Sequence, residues 1–182
     1  MKNQKRQFLL IICILILCVG GYFVAKNVPK EEETTVGAES HTVTSITESE
    51  VTEISYLYEG DIIELVKEDD VWKSKEDKNL SLQQTTVTTM LSYVCSITTD
   101  TIIENPENTD EFGLKNPENS ICITLANGNA VQINIGDYLE ITGEYYAQIA
   151  GDANVYTISS YIPSYFHKSI DMLVETGEES EE

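Results

Sequence analysis

The sequence predicts an α+β protein: a small, largely antiparallel β-sheet domain with one main packed helix, preceded by a single N-terminal transmembrane helix. Three observations carry that expectation. Residues 8–25 are an apolar run without a single charge. Val87, Met90, Leu91 and Val94 fall at i, i+3, i+4 and i+7, the spacing of one helical face. Two stretches after residue 120 alternate apolar and polar side chains on either side of turn formers, which is how hairpins read.

The apolar run of 18 residues makes about 27 Å of helix, enough to span a bilayer core of about 30 Å. Lys2, Lys5 and Arg6 precede it and acidic residues follow, so residues 1–7 are expected in the cytoplasm, 8–25 in the membrane and the remainder outside the cell membrane. A cleaved signal peptide shares the basic start and apolar core. The run exceeds the usual length of such a core, although Val19, Gly20 and Gly21 offer a small-residue cleavage site. An uncleaved anchor is the expectation. Cys13 and Cys18 follow the bulky Ile12 and Leu17, which argues against lipidation, and they read as small membrane-facing hydrophobes.

All 31 acidic residues lie at or after Glu31, against seven lysines beyond Lys26, so the outer part carries a net charge of −24. Phosphate-rich partners require clustered Lys and Arg, and the only arginine, Arg6, lies before the anchor. Nucleic acid is therefore excluded as a partner class. Residues 26–52, rich in Thr, Ser and Glu, are expected to form an extended stalk, with His41 as an isolated exposed residue in it. Residues 175–182 read as an acidic disordered tail.

That leaves residues 53–174 as one extracytoplasmic domain with one core. Residues 54–58, 62–66 and 71–73 read as three short strands separated by Gly60, Asp61, Asp69 and Asp70. Ser81 is the expected N-cap of the main helix, about 15 residues long; its threonines give weak propensity, so packing must hold it. A strand is expected over 99–103, then an irregular stretch marked by two Asn-Pro pairs and Gly113. Ile121, Ile123 and Leu125 face Val131, Ile133 and Ile135 across Asn127-Gly128, read as a two-residue hairpin turn with both central residues at positive φ. A second hairpin joins 144–150 to 155–158 through Gly151, Asp152, Ala153 and Asn154. Ser159 or Ser160 then caps a short helix presenting Tyr161, Ile162, Tyr165 and Phe166.

Thr109 to Ile158, with Asp-Glu-Phe-Gly-Leu-Lys-Asn-Pro, the Asn-Gly hairpin, Ile135-Gly136 and the Tyr-Ala strand, resembles the bacterial family called domain of unknown function 4340. Glu64, Leu65, Val66 and Trp72 fit its opening strand pair. The resemblance implies a membrane-anchored extracytoplasmic protein and an association with ABC-type transporters. This chain carries a single copy of the unit behind a long acidic stalk. The matching residues Trp72, Phe112, Gly113, Leu114, Pro117, Asn127, Gly128 and Gly136 are turn formers and core residues rather than chemistry. Gly113 is expected to supply a backbone conformation that a Cβ would strain, Pro117 to fix the approach to the next strand, and Trp72 to sit in or at the edge of the core.

No catalytic constellation is legible. His167 has neither a neighbouring nucleophile motif nor an orienting partner in sequence and reads as a surface residue at a helix end. Gly136-Asp137 lacks the following helix and Lys-Ser/Thr of a phosphate loop, and acidic pairs such as Asp69-Asp70 and Asp110-Glu111 fall in turns. An enzyme is the least expected class, and no cofactor or metal is called for. Cys95 and Cys122 point to opposite sides of the sheet and are expected as buried free thiols, a disulfide being the alternative. Tyr138, Tyr145, Tyr146, Tyr156, Tyr161 and Tyr165 crowd the C-terminal third, a candidate interaction surface. The functional expectation is a binding or scaffolding module at the cell envelope, accessory to an ABC-type transporter, whose partner is an envelope or membrane protein. A small-ligand-binding or sensor domain is the alternative.

Overall fold

The computed structural model describes residues 40–117 and 119–175. The expected transmembrane segment, Cys13 and Cys18, residues 26–39 of the expected stalk and 176–182 of the expected tail lie outside them; among the described residues no helix is long and apolar enough to cross a membrane.

The described chain is mostly β-sheet with two short α-helices. Ten strands occur: β1 (His41–Thr42), β2 (Val51–Tyr58), β3 (Asp61–Glu68), β4 (Val71–Ser74), β5 (Thr98–Thr99), β6 (Ile102–Ile103), β7 (Asn119–Leu125), β8 (Ala130–Leu139), β9 (Glu144–Ile149) and β10 (Val155–Ser159). The helices are α1 (Gln84–Cys95) and α2 (Tyr161–Phe166). Eight strands form one antiparallel sheet in the order β4-β3-β2-β7-β8-β9-β10-β6, and β1 pairs with β5 separately.

The alternation read from the sequence sets which face is buried. Ile54, Leu65, Ile121, Ile123, Ile133, Ile135, Ala147 and Ile158 share the core face with the α1 stripe of Val87, Met90, Leu91 and Val94. Trp72, 4% exposed, closes the core at β4. The opposite face is polar over β2–β8, with Ser55 beside Cys122 and Cys122 beside Gln132. Lys75 bridges Glu53 at 2.8 Å and Glu64 at 2.7 Å on the same side.

Helix α1 starts later than expected: Gln83, not Ser81, stands at its N-cap and makes no side-chain capping bond. The two residues either side of that position are used elsewhere. The Gln84 amide pairs with edge strand β4 as another strand would, accepting from Trp72 N at 2.8 Å and donating to Trp72 O at 2.9 Å. Ser81 O accepts from Glu175 N, and Leu82 bridges Val174. Replacing Gln84 by Leu leaves both Trp72 backbone groups without that partner; a loss of about 1–3 kcal/mol in denaturant unfolding is expected. The threonines are accommodated because Thr88 and Thr89 bond the carbonyls four residues back, at 2.9 and 2.8 Å.

The expected stalk is shorter than its composition suggested, because residues 40–52 join the fold. Thr44, 5% exposed, donates to Val94 O at 2.7 Å and accepts from Ile97 N at 2.8 Å, so it satisfies the backbone where α1 ends. Val51 is fully buried and opens β2. A Thr- and Ser-rich segment with few apolar residues thus docks through hydrogen bonds, a signal that hydrophobic patterning does not carry. His41 lies exposed in β1.

Two places differ from expectation, the Asn127-Gly128 turn and the strand over 99–103. At Asn127-Gly128 only Gly128 has positive φ, +84°, and Leu125 N donates to Asn129 O across a three-residue loop. The turns with two consecutive positive φ values are Glu59-Gly60 and Asp69-Asp70, which join β2 to β3 and β3 to β4 by two residues each. The strand expected over 99–103 is split, because the Thr99 hydroxyl accepts from Thr101 N and donates to Thr101 O, folding a turn at Asp100.

Candidate functional site

The C-terminal tyrosines separate into four environments. In the β8–β9 pairing Tyr138 stands opposite Tyr145, past a register shift between Ile135 and Tyr138. Their ring centroids are 4.9 Å apart, tilted by 51°. Helix α2 brings Tyr161 to the same place. Together with Asn119, Pro163, Ser164 and His167 these rings line a groove of about 730 Å3. Tyr138 is 50% and Tyr161 66% exposed, so the groove is an open surface rather than a closed pocket. The Tyr138 hydroxyl leans over the β8–β9 turn, 3.7 Å from where a Cβ on Gly143 would stand, and Ile141 on that turn is 99% exposed.

The other three tyrosines do not belong to the groove. Tyr156 is buried, its hydroxyl donating to Asp152 at 2.5 Å, and that bond holds the Asp152 carboxyl below its usual range. Tyr146 faces the opposite side of the sheet and packs edge-on against Phe112, centroids 4.9 Å apart. Tyr165 stacks on Tyr93 of α1 at 4.4 Å. Period-two alternation explains the division of the neighbours Tyr145 and Tyr146 between two faces. Behind the groove lining, the ring of Tyr58, which sequence reading passed over, lies 5.0 Å from that of His167. His167 itself is exposed at the C-cap of α2.

The groove is supported by the residues of the Phe-Gly-Leu motif. A turn of 3-10 helix, Asp110–Phe112, ends at Gly113 with φ +71°. Phe112 and Leu114 then turn inward onto Val155, beside Ile103 and Tyr146, forming a small core of their own on the outer face of the sheet. A Cβ on Gly136 would collide with the Phe112 carbonyl oxygen, and one on Gly113 would stand 2.8 Å from Asp137 N. The two glycines therefore face each other across the contact between this loop and β8. Asp137 sits in the bulge that follows, and the bulge re-aims Tyr138 into the groove. Gly136-Asp137 is thus a strand irregularity in a packed contact. Pro117 stands two residues before β7.

Cys95 and Cys122 are free thiols. Cys95 is buried as expected, and burial pushes its thiol up to about 11. Cys122 is half-buried on the polar face instead, because its neighbours there are Ser55 and Gln132 rather than a second layer. In the folded protein iodoacetamide is expected to modify Cys122 and spare Cys95, with Cys95 labelled only on unfolding; peptide mass spectrometry reads both. Between pH 9 and 11 the unfolded Cys95 loses a proton that the folded one keeps, so stability falls as pH rises through that window. Among the described residues no group of three His, Cys, Asp or Glu side chains is placed to hold a metal ion.

Fold and site together define a β-rich α+β domain: an antiparallel sheet with helices on one face and an aromatic surface groove at the β8–β9–α2 end. Residues 72–180, more than half of the chain, match the family described as a domain of unknown function (DUF4340), and the chain belongs to that family. The match opens at Trp72, so the β2–β3 hairpin with Glu64, Leu65 and Val66 precedes it. No curated protein and no solved structure matches the chain.

Proposed function

We propose that this protein is a membrane-anchored binding module of the cell envelope, and that the groove of Tyr138, Tyr145 and Tyr161 is where a protein partner docks. The observation that carries this reading is the convergence of three tyrosines from two strands and a helix on one open groove. Tyrosine gives large rigid contact area and a hydrogen-bonding tip, the combination enriched where proteins meet.

The anchoring half of the proposal rests on the uncharged run of residues 8–25 behind three basic residues. The resemblance to transporter-associated relatives makes a membrane permease the first partner to look for. The test is site-specific photocrosslinking of the full-length chain in its native membranes. A benzophenone residue at Tyr161 is expected to trap a membrane or envelope protein, while one at Gln132, on the polar face, is not. Equal trapping from both positions, or none from Tyr161, contradicts the reading.

A further inference from the structure

The last described residues are tied to the corner of the sheet where β4 gives way to the turn before α1. A turn of 3-10 helix, Ile170–Leu173, ends with Leu173 fully buried. The chain then runs antiparallel beside residues 81–83. Gln83 N donates to Leu173 O at 2.8 Å, the Gln83 side-chain amide to Val174 O at 2.9 Å, and Glu175 N to Ser81 O at 2.8 Å. Those bonds fix the direction of the chain at Glu175, which points toward Leu80, Asn79 and Lys78. A depression of about 260 Å3 opens there, lined by Val71, Trp72, Lys73, Lys78 and Leu80, with Glu175 itself in its wall.

We propose that the acidic tail, residues 176–182, docks in this depression, with Glu178 and Glu179 paired to Lys78 and Lys73, and so clasps the C-terminal segment to the β4 edge. The spacing matches on both sides: Glu178 lies three residues beyond Glu175, and Lys78 three residues before its partner Ser81. The family match supports treating the tail as part of the domain, since it begins at Trp72 in β4 and extends through residue 180.

The charges are complementary. Beyond Glu175 the sequence reads Thr-Gly-Glu-Glu-Ser-Glu-Glu, four carboxylates in seven residues. Lys73 and Lys78 share one carboxylate, that of Glu68, at 3.3 and 2.5 Å, so two cations face one anion. The Lys78 and Lys73 ammonium groups hold the Glu68 carboxyl below its usual range, as a locally positive field does. Lys67, Lys75 and Lys115 each have at least one carboxylate to themselves. An exposed ion pair is worth little when two long side chains must be ordered to make it. Here the attachment point already stands in the site, and only Thr176 and Gly177 separate Glu175 from Glu178, so pairing is intramolecular at high effective concentration.

The test is carbodiimide coupling of the full-length chain in detergent. The reagent activates a carboxyl, a lysine amine displaces it to form an amide, and the carbodiimide leaves as a urea carrying the lost water. Peptide mass spectrometry reads the joined pairs. Amides from Glu178 or Glu179 to Lys78 and Lys73 should outnumber those to Lys115 and Lys168 at least about tenfold at low salt. They should fall several-fold in roughly 1 M NaCl, where the Debye length is about 3 Å. In a chain ending at Glu175, acetylation of Lys78 by an activated ester should be at least about threefold faster than in the full chain. Tail amides spread evenly over Lys75, Lys115 and Lys168, or an unchanged Lys78 rate in the shortened chain, overturn the clasp. Coupling a mixture of heavy-isotope-labelled and unlabelled chain should give joined pairs of a single label; pairs of mixed label would assign the depression to the tail of a second copy and overturn the intramolecular clasp. None of these residues lines the tyrosine groove, so either result leaves the docking reading to its own test.

Discussion

Gly136→Ala is expected to cost about 2–4 kcal/mol in denaturant unfolding, more than a methyl group costs almost anywhere else in the domain. The added Cβ would collide with the Phe112 carbonyl oxygen and stand 3.1 Å from Leu114 Cγ. Backbone cannot rotate aside as a side chain can, so the loop carrying Phe112 and Leu114 must lift from β8. Lifting it uncovers Val155, which is fully buried, and withdraws the packing against Tyr146. Gly128→Ala is the matched control. Its φ of +84° strains an alanine, yet a Cβ there meets no atom within 4 Å, so a cost of about 1 kcal/mol is expected. Hydrogen exchange should show Gly136→Ala loosening residues 110–114 first. Equal costs at the two glycines would mean that the Phe-Gly-Leu loop is not clamped on β8.

Trp72→Ala is expected to cost about 3–5 kcal/mol and to disorder the β4 edge. Trp72 is the only tryptophan, 4% exposed, and packs within the main core. Its truncation opens a cavity beneath α1 and weakens the seat of the strand whose backbone Gln84 caps. Because the variant lacks the fluorescent probe, circular dichroism is the readout. Trp72→Phe, which retains most of the apolar volume, should lose less than half as much. A Trp72→Ala protein as stable as wild type would place this side chain outside the core.

The core was readable because a half-buried antiparallel sheet and an amphipathic helix each impose a period, and Ile121, Ile123, Ile133 and Ile135 obey one while Val87, Met90, Leu91 and Val94 obey the other. Polar anchoring was not readable. Thr44, Gln84 and Thr99 act through side-chain bonds to backbone, and such bonds have no period; hence the stalk boundary, the helix start and the split strand all differed from expectation. Turn chemistry was half readable. Asn127-Gly128 marked a turn, but its type depends on loop length and register, and the two consecutive positive φ values appeared at Asp69-Asp70, where side chains other than glycine adopt them.

The groove follows the same division. Clustering of tyrosines in the sequence marked only a candidate surface, and strand alternation alone could separate Tyr145 from Tyr146. What could not be read was the bulge at Gly136-Asp137, which decides the direction of Tyr138, or the packing of α2 that delivers Tyr161. Gly113 and Gly136 were visible as a motif, yet their mutual contact, with 22 residues between them, needed the fold.

The docking role of the groove is tested most directly by hydroxyl-radical labelling of tyrosines, comparing full-length chain in its native membranes with the same chain purified in detergent. Tyr138 and Tyr161, half and two-thirds exposed in the isolated chain, should be protected several-fold in the membranes, with the buried Tyr156 unreactive in both. Equal labelling of Tyr138 and Tyr161 in the two preparations would contradict a partner at the groove.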